Sequence, residues 1–275
     1  MQKVKIFVCC HKPGNNFPNN DVYVPLHVGR AISPFKVQMK DYIGDDSGDN
    51  ISERNKHYSE ATGIYWIWKN VHDCDYVGLT HYRRTFSTEF TNNNIEVLFN
   101  DGTDVIMTKI PRHRSRWHTV LTYMQMEDFL IMKMIIKKMY PDYLKTLNRL
   151  LRDYYDHPFN MVVCKKELYD KYAEWVFSIC FEMEKHVRYS GYSNSSRILA
   201  YVIELLTPLY FIHNNYKIKE IPIWGKEGVS VNKSIKLRVF VFFMHHTIWR
   251  FRKDIPLSID SSFIRGLQQD GIEII

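Results

Sequence analysis

The 275-residue chain has the composition of a folded globular protein with an unusually high aromatic content. Hydrophobic residues make up 45% of the sequence, charged residues 24% and aromatic residues 15%. These values exclude a disordered or fibrous chain and allow one large domain, or one domain with an appendage. The net charge is +7, and a basic balance favours partners that carry phosphate, such as nucleotides, nucleic acid or anionic lipid.

The cysteines and the first residues predict a protein of a reducing compartment. No two of the five cysteines form a C-x-x-C pair, and Cys9, Cys10 and Cys164 lie in apolar runs where a free thiol acts as a small buried side chain. KVKIFVCC predicts a strand rather than a secretion signal. No stretch approaches the roughly 18–20 apolar residues that a membrane span needs. We therefore expect a cytoplasmic location.

Strands and helices alternate along the first 225 residues. The apolar patterns predict strands over residues 5–10, 76–79, 104–107, 161–164 and 217–223, and helices over residues 58–70, 125–139, 141–154, 167–184 and 197–206. This alternation predicts an α/β fold, a three-layer sandwich around a mostly parallel sheet. Residues 225–232 read as a linker, so we expect one domain over residues 1–225 and a basic, aromatic appendage over residues 226–275.

The most informative motif is a basic turn after the second predicted strand. The sequence YVGLT runs directly into His81, Tyr82, Arg83 and Arg84. Open α/β sheets bind ligands at the carboxyl ends of their strands, and paired arginines recognise anionic groups such as a diphosphate. The alternative is a solvated basic turn. The residues that follow the first predicted strand also allow two interpretations: they contact a nucleotide, or they form a surface turn.

Several spaced motifs resemble a bacterial family of capsular and exopolysaccharide biosynthesis, formerly of unknown function and understood as galactofuranosyltransferases. The matching segments, in the family's order, are HKPG, PLHVGRA, GDDSGDN, NISERN, YWIWKN, YVGLTHYRR, FNMVV, RILAYVIELL and YKIKEIPI. They span about residues 3–223. Leu205 stands where the family has an arginine, and Ala200 stands where it has a glycine.

The resemblance implies a GT-A-like (Rossmann-like) nucleotide-sugar fold and a hexosyl transfer from a UDP-sugar, with UDP-galactofuranose as the expected donor. The donor-binding residues it implies are His11, Lys12, Asp49, Asn50, Glu53, Asn55, His81, Tyr82, Arg83 and Arg84. The implied acceptor-binding residues are His157, Asn160 and Arg197. An inverting transfer needs a carboxylate base; Glu204, at the family's recurrent glutamate, is the first candidate, and Asp104 is the second.

The sequence favours a site that needs no metal. The turn after Leu79 has no carboxylate before Glu89, so arginine and histidine would neutralise the leaving diphosphate directly. Asp45, Asp46 and Asp49 lack the spacing of a calcium loop, and the histidines lack zinc spacing. Bound Mn²⁺ or Mg²⁺ is the less favoured alternative.

The C-terminal segment SIKLRVFVFFMHHTIWRFRK mixes aromatic and cationic residues without an acid. This composition is typical of a helix lying in a membrane surface, or of a helix packed on the sheet with solvated cations. We expect a peripheral protein at the inner face of the plasma membrane that acts on a lipid-linked glycan. The rival hypothesis is a non-catalytic, basic protein that binds nucleic acid or a glycan.

Overall fold

The computed structural model describes residues 2–14, 17–112, 114–192, 195–224, 235–248 and 261–272. Its strands are β1 (Val4–Cys10), β2 (Tyr23–His27), β3 (Ile43–Gly44), β4 (Tyr76–His81), β5 (Thr85–Phe86), β6 (Val105–Met107), β7 (Ile110–Pro111), β8 (Tyr155–Asp156), β9 (Val162–Lys165), β10 (Ile218–Glu220) and β11 (Ile223–Trp224). Its α-helices are α1 (Asn55–Tyr58), α2 (Ala61–Asn70), α3 (Ile95–Phe99), α4 (Arg116–Tyr123), α5 (Met126–Met139), α6 (Tyr143–Leu151), α7 (Lys166–Glu184), α8 (Ile198–His213), α9 (Ile235–Phe243) and α10 (Ser261–Gln269).

A seven-stranded sheet in the order β10-β6-β9-β4-β1-β2-β3 forms the centre of the fold. Every strand in it runs parallel except β9, which is antiparallel to both β4 and β6. The prediction of an α/β fold with a mostly parallel sheet is therefore confirmed. The carboxyl ends of β1, β4, β6 and β10 share one edge, and β9 begins at that edge.

The alternation of side chains along β1 divides the core into two layers. Phe7 and Cys9 point to the face covered by α2, α5, α7 and α8, whereas Ile6 and Val8 point to the face covered by α3 and the turns around it. Because both faces of the sheet are buried, the central strands are apolar at every position. This explains why they were visible in the sequence as short continuous apolar runs.

Helix α8 is longer than its sequence pattern predicts. It continues from Leu206 to His213 and contains Pro208, which has no N–H to donate to the carbonyl of Glu204 one turn earlier. Among the described residues, the segment Ser195–His213 has the length and apolar composition of a membrane span, whereas the sequence analysis predicted no such segment. Of its most apolar stretch, however, 72% is buried within the protein. It packs against α6 and α7 as a core helix.

Helix α9 lies against the ribbon formed by β7 and β8. Its Leu237 and Val241 form a small separate core with Tyr154, with Tyr155 packed beside it. Four basic residues of the C-terminal region, Lys233, Arg250, Arg252 and Lys253, lie outside the described residues. The proposed boundary at residue 225 also falls outside them and stays a prediction.

Candidate active site

A cavity of about 660 Å³ opens at the sheet edge where β1 and β4 end. Its wall includes residues from the turn after β4, the start of α2, the β7–α4 connection and the start of α8. It combines several arginines with the carboxyl groups of Glu60, Asp156 and Glu204. Both charge types that a transfer from a phosphate-activated donor requires therefore share one cavity.

The turn after β4 holds its two arginines by short backbone contacts. His81 donates its N–H to the carbonyl of Arg84 at 3.0 Å, and Arg84 donates back to His81 at 3.1 Å. Thr80 closes the turn with a side-chain bond to the same Arg84 carbonyl at 2.8 Å. The side chains of Arg83 and Arg84 both line the cavity.

The buried ring of Tyr82 anchors the same turn. Any Cβ on Gly14 would meet that ring at 2.6 Å, so glycine is required for the first loop to close over it. The His11 ring packs edge-on against Tyr82 at 5.3 Å between centroids. Partial burial, together with the charges of Arg83 and Lys12, lowers the pKa of His11. A histidine with a lowered pKa is neutral at pH 7 and acts as a hydrogen-bonding group rather than as a charge.

Phe159 connects the basic turn to the carboxylate side of the cavity. Its carbonyl accepts a 2.7 Å hydrogen bond from Nε2 of His81, which fixes the proton on that nitrogen, and its ring lies 4.4 Å from the guanidinium of Arg84. Its N–H donates to the carboxyl group of Glu204. Phe159 and Asn160 have φ values of 71° and 55°, a conformation rare outside glycine and often found at functional sites.

Glu204 is the half-buried carboxyl group of the cavity. Burial, followed by the negative charges of Asp156 and Glu60, raises its pKa to about 8. The bond from the Phe159 N–H and the charge of Arg112 act in the opposite direction but are weaker. A carboxyl group with this pKa is a stronger base than an exposed one once it is ionised.

A chain of buried hydrogen bonds holds the second carboxylate, Glu60, at the start of α2. Nδ2 of the fully buried Asn160 donates to Oε1 of Glu60 at 2.9 Å, and Oδ1 of Asn160 accepts from Thr207 at 3.2 Å. Thr207 in turn meets the hydroxyl of Tyr172 at 2.7 Å. Because Asn160, Thr207 and Tyr172 are fully buried and partnered, they hold the half-buried Glu60 in one orientation.

Arg112 and Arg116 flank Asp156 on the wall formed by β7, β8 and α4. The two carboxylate oxygens lie 3.1 Å from Nη2 of Arg112 and 3.4 Å from Nη2 of Arg116. Burial alone would raise the pKa of Asp156, but the two guanidinium groups hold it below its ordinary value. Asp156 is therefore ionised, and its negative charge is paired with the guanidinium groups of Arg112 and Arg116.

The structure brings eight of the predicted site residues to the cavity wall. They are His11, Asn55, His81, Tyr82, Arg83, Arg84, Arg197 and Glu204. Asn55 also has a structural task, because its Nδ2 donates to Ser59 at 2.6 Å and to Thr62 at 3.0 Å. The assigned roles of these residues stay predictions.

The other predicted donor-binding residues lie outside the cavity wall. Asp49 accepts a bond from the Tyr65 hydroxyl at 2.9 Å, and Asn50 bonds within its own turn. Glu53 and Lys12 are exposed and do not line the cavity. The acidic loop is organised instead by the buried Asp45, which accepts bonds from the backbone of Gly29 and Arg30 and from Ser52 and Thr62.

Asp104 and His157 also do not line the cavity. Asp104 stands at the amino end of β6, at the opposite edge of the sheet, where it accepts the Lys217 N–H at 2.8 Å. This position gives no support to a catalytic role. His157 is buried behind Asp156, and Asn160 reaches the cavity only through Glu60.

Glu60, Arg112, Arg116 and Asp156 were not predicted as site residues. Arg112 and Arg116 belong to the basic segment RHRSRWH, residues 112–118, whose sequence does not indicate which arginines turn inward. Within the described ranges no group of three or more His, Cys, Asp or Glu side chains is arranged to hold a metal ion.

Comparison with known proteins agrees with this architecture. Residues 5–215 match the family described as a domain of unknown function, DUF4422. Among solved structures, the chain is similar to the apo structure of the bifunctional glycosyltransferase WbbM, with 28% identity and a TM-score of 0.67. The match covers 85% of this chain and 47% of the WbbM chain, so this chain spans about half of that protein's length. No curated protein matches.

The fold is thus α/β and GT-A-like, with a mixed, mostly parallel sheet similar to that of a glycosyltransferase. The matched region contains β1 except Val4, β2 to β9, α1 to α8 and every residue of the cavity wall discussed above. The chain belongs to the DUF4422 family.

Proposed function

We propose that the protein is a glycosyltransferase that moves a hexose from a nucleoside diphosphate sugar to a glycan acceptor. The observation that carries this proposal is the juxtaposition, in one cavity, of the arginine turn after β4 and the Glu204 carboxyl group. The similarity to a solved glycosyltransferase supports it. UDP-galactofuranose is the donor we propose, on the basis of the motifs NISERN, YWIWKN and YVGLTHYRR.

In the proposed reaction the acceptor hydroxyl attacks the anomeric carbon while the bond from that carbon to the diphosphate oxygen breaks. Arg83 and Arg84 neutralise the negative charge that develops on the departing UDP. Glu204 takes the proton of the acceptor hydroxyl, so the sugar is transferred with inversion.

The raised pKa of Glu204 gives this mechanism a pH dependence. With a pKa of about 8, roughly one molecule in ten has an ionised Glu204 at pH 7. The rate should therefore rise as the pH increases through 8 and then level off. In Glu204→Gln the base is lost, and transfer should fall to the background rate at every pH.

We also propose that the protein works at the inner face of the plasma membrane on a lipid-linked acceptor. Leu237 and Val241 face the protein core, and the positions two residues further along, Val239 and Phe243, lie about 200° around the helix and are exposed. With Lys236 and Arg238 also exposed, the outer side of α9 is apolar and cationic. This combination supports binding in the plane of an anionic membrane.

The first test of the transferase proposal is binding of UDP. We expect UDP to raise the melting temperature of the protein, because a ligand that binds only the folded state stabilises it. Arg83→Ala and Arg84→Ala should abolish this shift, whereas Arg149→Ala, an exposed arginine of α6 outside the cavity, should retain it. No shift in the wild-type protein would count against a nucleotide site.

The rival proposal, a basic nucleic-acid-binding protein, makes the opposite prediction. It expects no effect of UDP and a steep loss of polynucleotide binding as salt increases. The basic turn, the cavity arginines and the exposed cations of α9 are its support. The three cavity carboxylates count against it, since they would repel a phosphate backbone.

A further inference from the structure

One side of the cavity is a groove between the helices α4 and α8. Each helix contributes residues spaced three or four positions apart, which places them on a single helix face. The lining residues of α4 are Arg116, Thr119, Val120 and Tyr123. The lining residues of α8 are Arg197, Ala200, Tyr201, Glu204 and Leu205. The proposed base, Glu204, therefore lies within this groove.

Two tyrosine rings, one from each helix, meet in the groove. Tyr123 of α4 and Tyr201 of α8, called here the tyrosine pair, are stacked with 4.9 Å between ring centroids and 23° between ring planes. Both line the cavity, and Tyr123 is 47% exposed. The pair therefore presents an aromatic surface that a ligand in the cavity can reach.

The side chains next to the tyrosine pair are apolar. Val120 precedes Tyr123 by one turn, Met124 follows it directly, and Leu205 follows Tyr201 by one turn. All three line the cavity and are at most 7% exposed. Because these side chains offer no hydrogen-bond partner, this side of the cavity suits the C–H groups of a ligand rather than its hydroxyl groups. A cyclic sugar has such a face, formed by its axial C–H bonds, and aromatic rings pack against it.

The position of Glu204 distinguishes an acceptor sugar from the nucleobase of the donor. Tyr201 and Glu204 are three residues apart, about 4.5 Å along the helix axis and on the same face. Burial, followed by smaller effects that include the charge of Glu204, raises the pKa of Tyr201, in agreement with this proximity. In a nucleoside diphosphate sugar the diphosphate separates the nucleobase from the transferred sugar. With the diphosphate at the arginine turn after β4, the group beside the base is the sugar that carries the attacking hydroxyl.

Building on the proposed transferase function, we propose that the tyrosine pair is the platform on which the acceptor sugar stacks. Its C–H face packs on the tyrosine pair, and one hydroxyl at its edge points to Glu204. The substrate class is a glycan that ends in a cyclic sugar with an uninterrupted C–H face. Tyr123 and Tyr201 determine acceptor specificity in this arrangement, and they take no part in the proton transfer.

The binding test is saturation-transfer NMR with three probes: methyl β-D-galactopyranoside, methyl β-D-glucopyranoside and methyl α-D-mannopyranoside. The spectra are recorded with and without saturating UDP. We expect at least one glycoside to receive saturation mainly at the C–H protons of one ring face. Galactitol, an open-chain compound with hydroxyl groups but no ring face, should receive much less. No transfer to any of the three glycosides, or equal transfer to galactitol, would overturn the inference.

Substitutions of Tyr123 test whether the bound sugar lies on the tyrosine pair. Tyr123→Ala should weaken binding of the glycoside about tenfold, whereas Tyr123→Phe should retain it because the ring remains. Leu121→Ala is the matched control, since Leu121 is 45% exposed on the same helix and does not line the cavity. Unchanged binding in Tyr123→Ala would show that the sugar binds elsewhere and would overturn the inference.

The melting shift with UDP separates this inference from the transferase proposal. Tyr123→Ala should retain the shift, which also shows that the variant is folded. Loss of the shift in Tyr123→Ala, with retention in Leu121→Ala, would assign the platform to the nucleobase and overturn the inference. Sugar binding that depends on Tyr123, in a protein that neither binds UDP nor releases it from a UDP-sugar, would contradict the transferase proposal and support the platform.

Discussion

Replacing Glu204 with glutamine should stabilise the protein while removing its proposed activity. The folded state raises the pKa of this carboxyl group from 4.5 to about 8. A raised carboxyl pKa means that the folded protein binds the proton more tightly than the unfolded chain. The stabilisation that comes from this tighter proton binding is fully present below the pKa of Glu204 in the unfolded chain. It is lost as the pH rises towards the pKa of Glu204 in the folded protein. Glutamine resembles the protonated form at every pH and carries no such penalty.

The size of the effect follows from the two pKa values. Each pH unit in which the unfolded chain is ionised and the folded protein is still protonated changes the free energy of unfolding by about 1.4 kcal/mol. Between pH 5 and pH 8 this amounts to about 3 kcal/mol. The free energy of unfolding of Glu204→Gln, relative to wild type, should therefore increase by about 3 kcal/mol over this interval.

Urea unfolding followed by tryptophan fluorescence at pH 5, 6.5 and 8 measures this difference. Glu174→Gln, at an exposed position of α7, is the matched control, and its stability relative to wild type should not vary with pH to this extent. If the difference between Glu204→Gln and wild type is the same at all three pH values, Glu204 is not a buried carboxyl group with a raised pKa. Its selection as the base would then lose its physical basis.

Three further predictions concern the groups around the cavity. Asn160→Leu should lower kcat by about tenfold or more, because it removes the donor that holds Glu60. Asn160→Asp should not restore kcat, since a carboxylate at this position repels Glu60. Equal kcat values for Asn160→Leu and wild type would contradict this prediction. Phe159→Ala should weaken UDP binding severalfold in calorimetry by releasing Arg84, and an unchanged Kd would show that the ring does not position the guanidinium. The double change Val239→Ser and Phe243→Ser should reduce sedimentation of the protein with anionic vesicles. Val37→Ser, at an apolar position that is 80% exposed, should not reduce it. Equal losses of sedimentation in the two variants would exclude a specific role of α9.

The sequence predicts the parts of this protein that depend on local order. The strands β1, β4 and β9 are short apolar runs because both faces of the sheet are covered, and the turn at His81–Arg84 follows one of them directly. Its position at a carboxyl end was therefore predictable from a single segment. The choice of Glu204 came from the motif resemblance, since a glutamate inside an apolar helix has no local signal of function.

The residues that were missed depend on pairing between distant segments. Arg112 and Arg116 turn inward because β7 pairs with β8 and brings Asp156 between them. Glu60 is oriented through Asn160 and Thr207, which lie 100 and 147 residues later in the chain. The acidic loop is a related case, because Asp49, Asn50 and Glu53 do not line the cavity and their donor-binding roles stay predictions. Within this loop Asp45 organises the backbone, because it accepts bonds from Gly29, Arg30, Ser52 and Thr62.

The most direct test of the central claim is release of UDP from a panel of UDP-sugars, with and without EDTA. We expect a suitable acceptor to stimulate the release of UDP from one donor, UDP-galactofuranose, and Arg83→Ala and Arg84→Ala each to slow this release at least tenfold. The sensitivity to EDTA reports separately whether a metal ion takes part. Release by the Arg83→Ala and Arg84→Ala variants at the wild-type rate would contradict the claim that this turn stabilises a departing diphosphate.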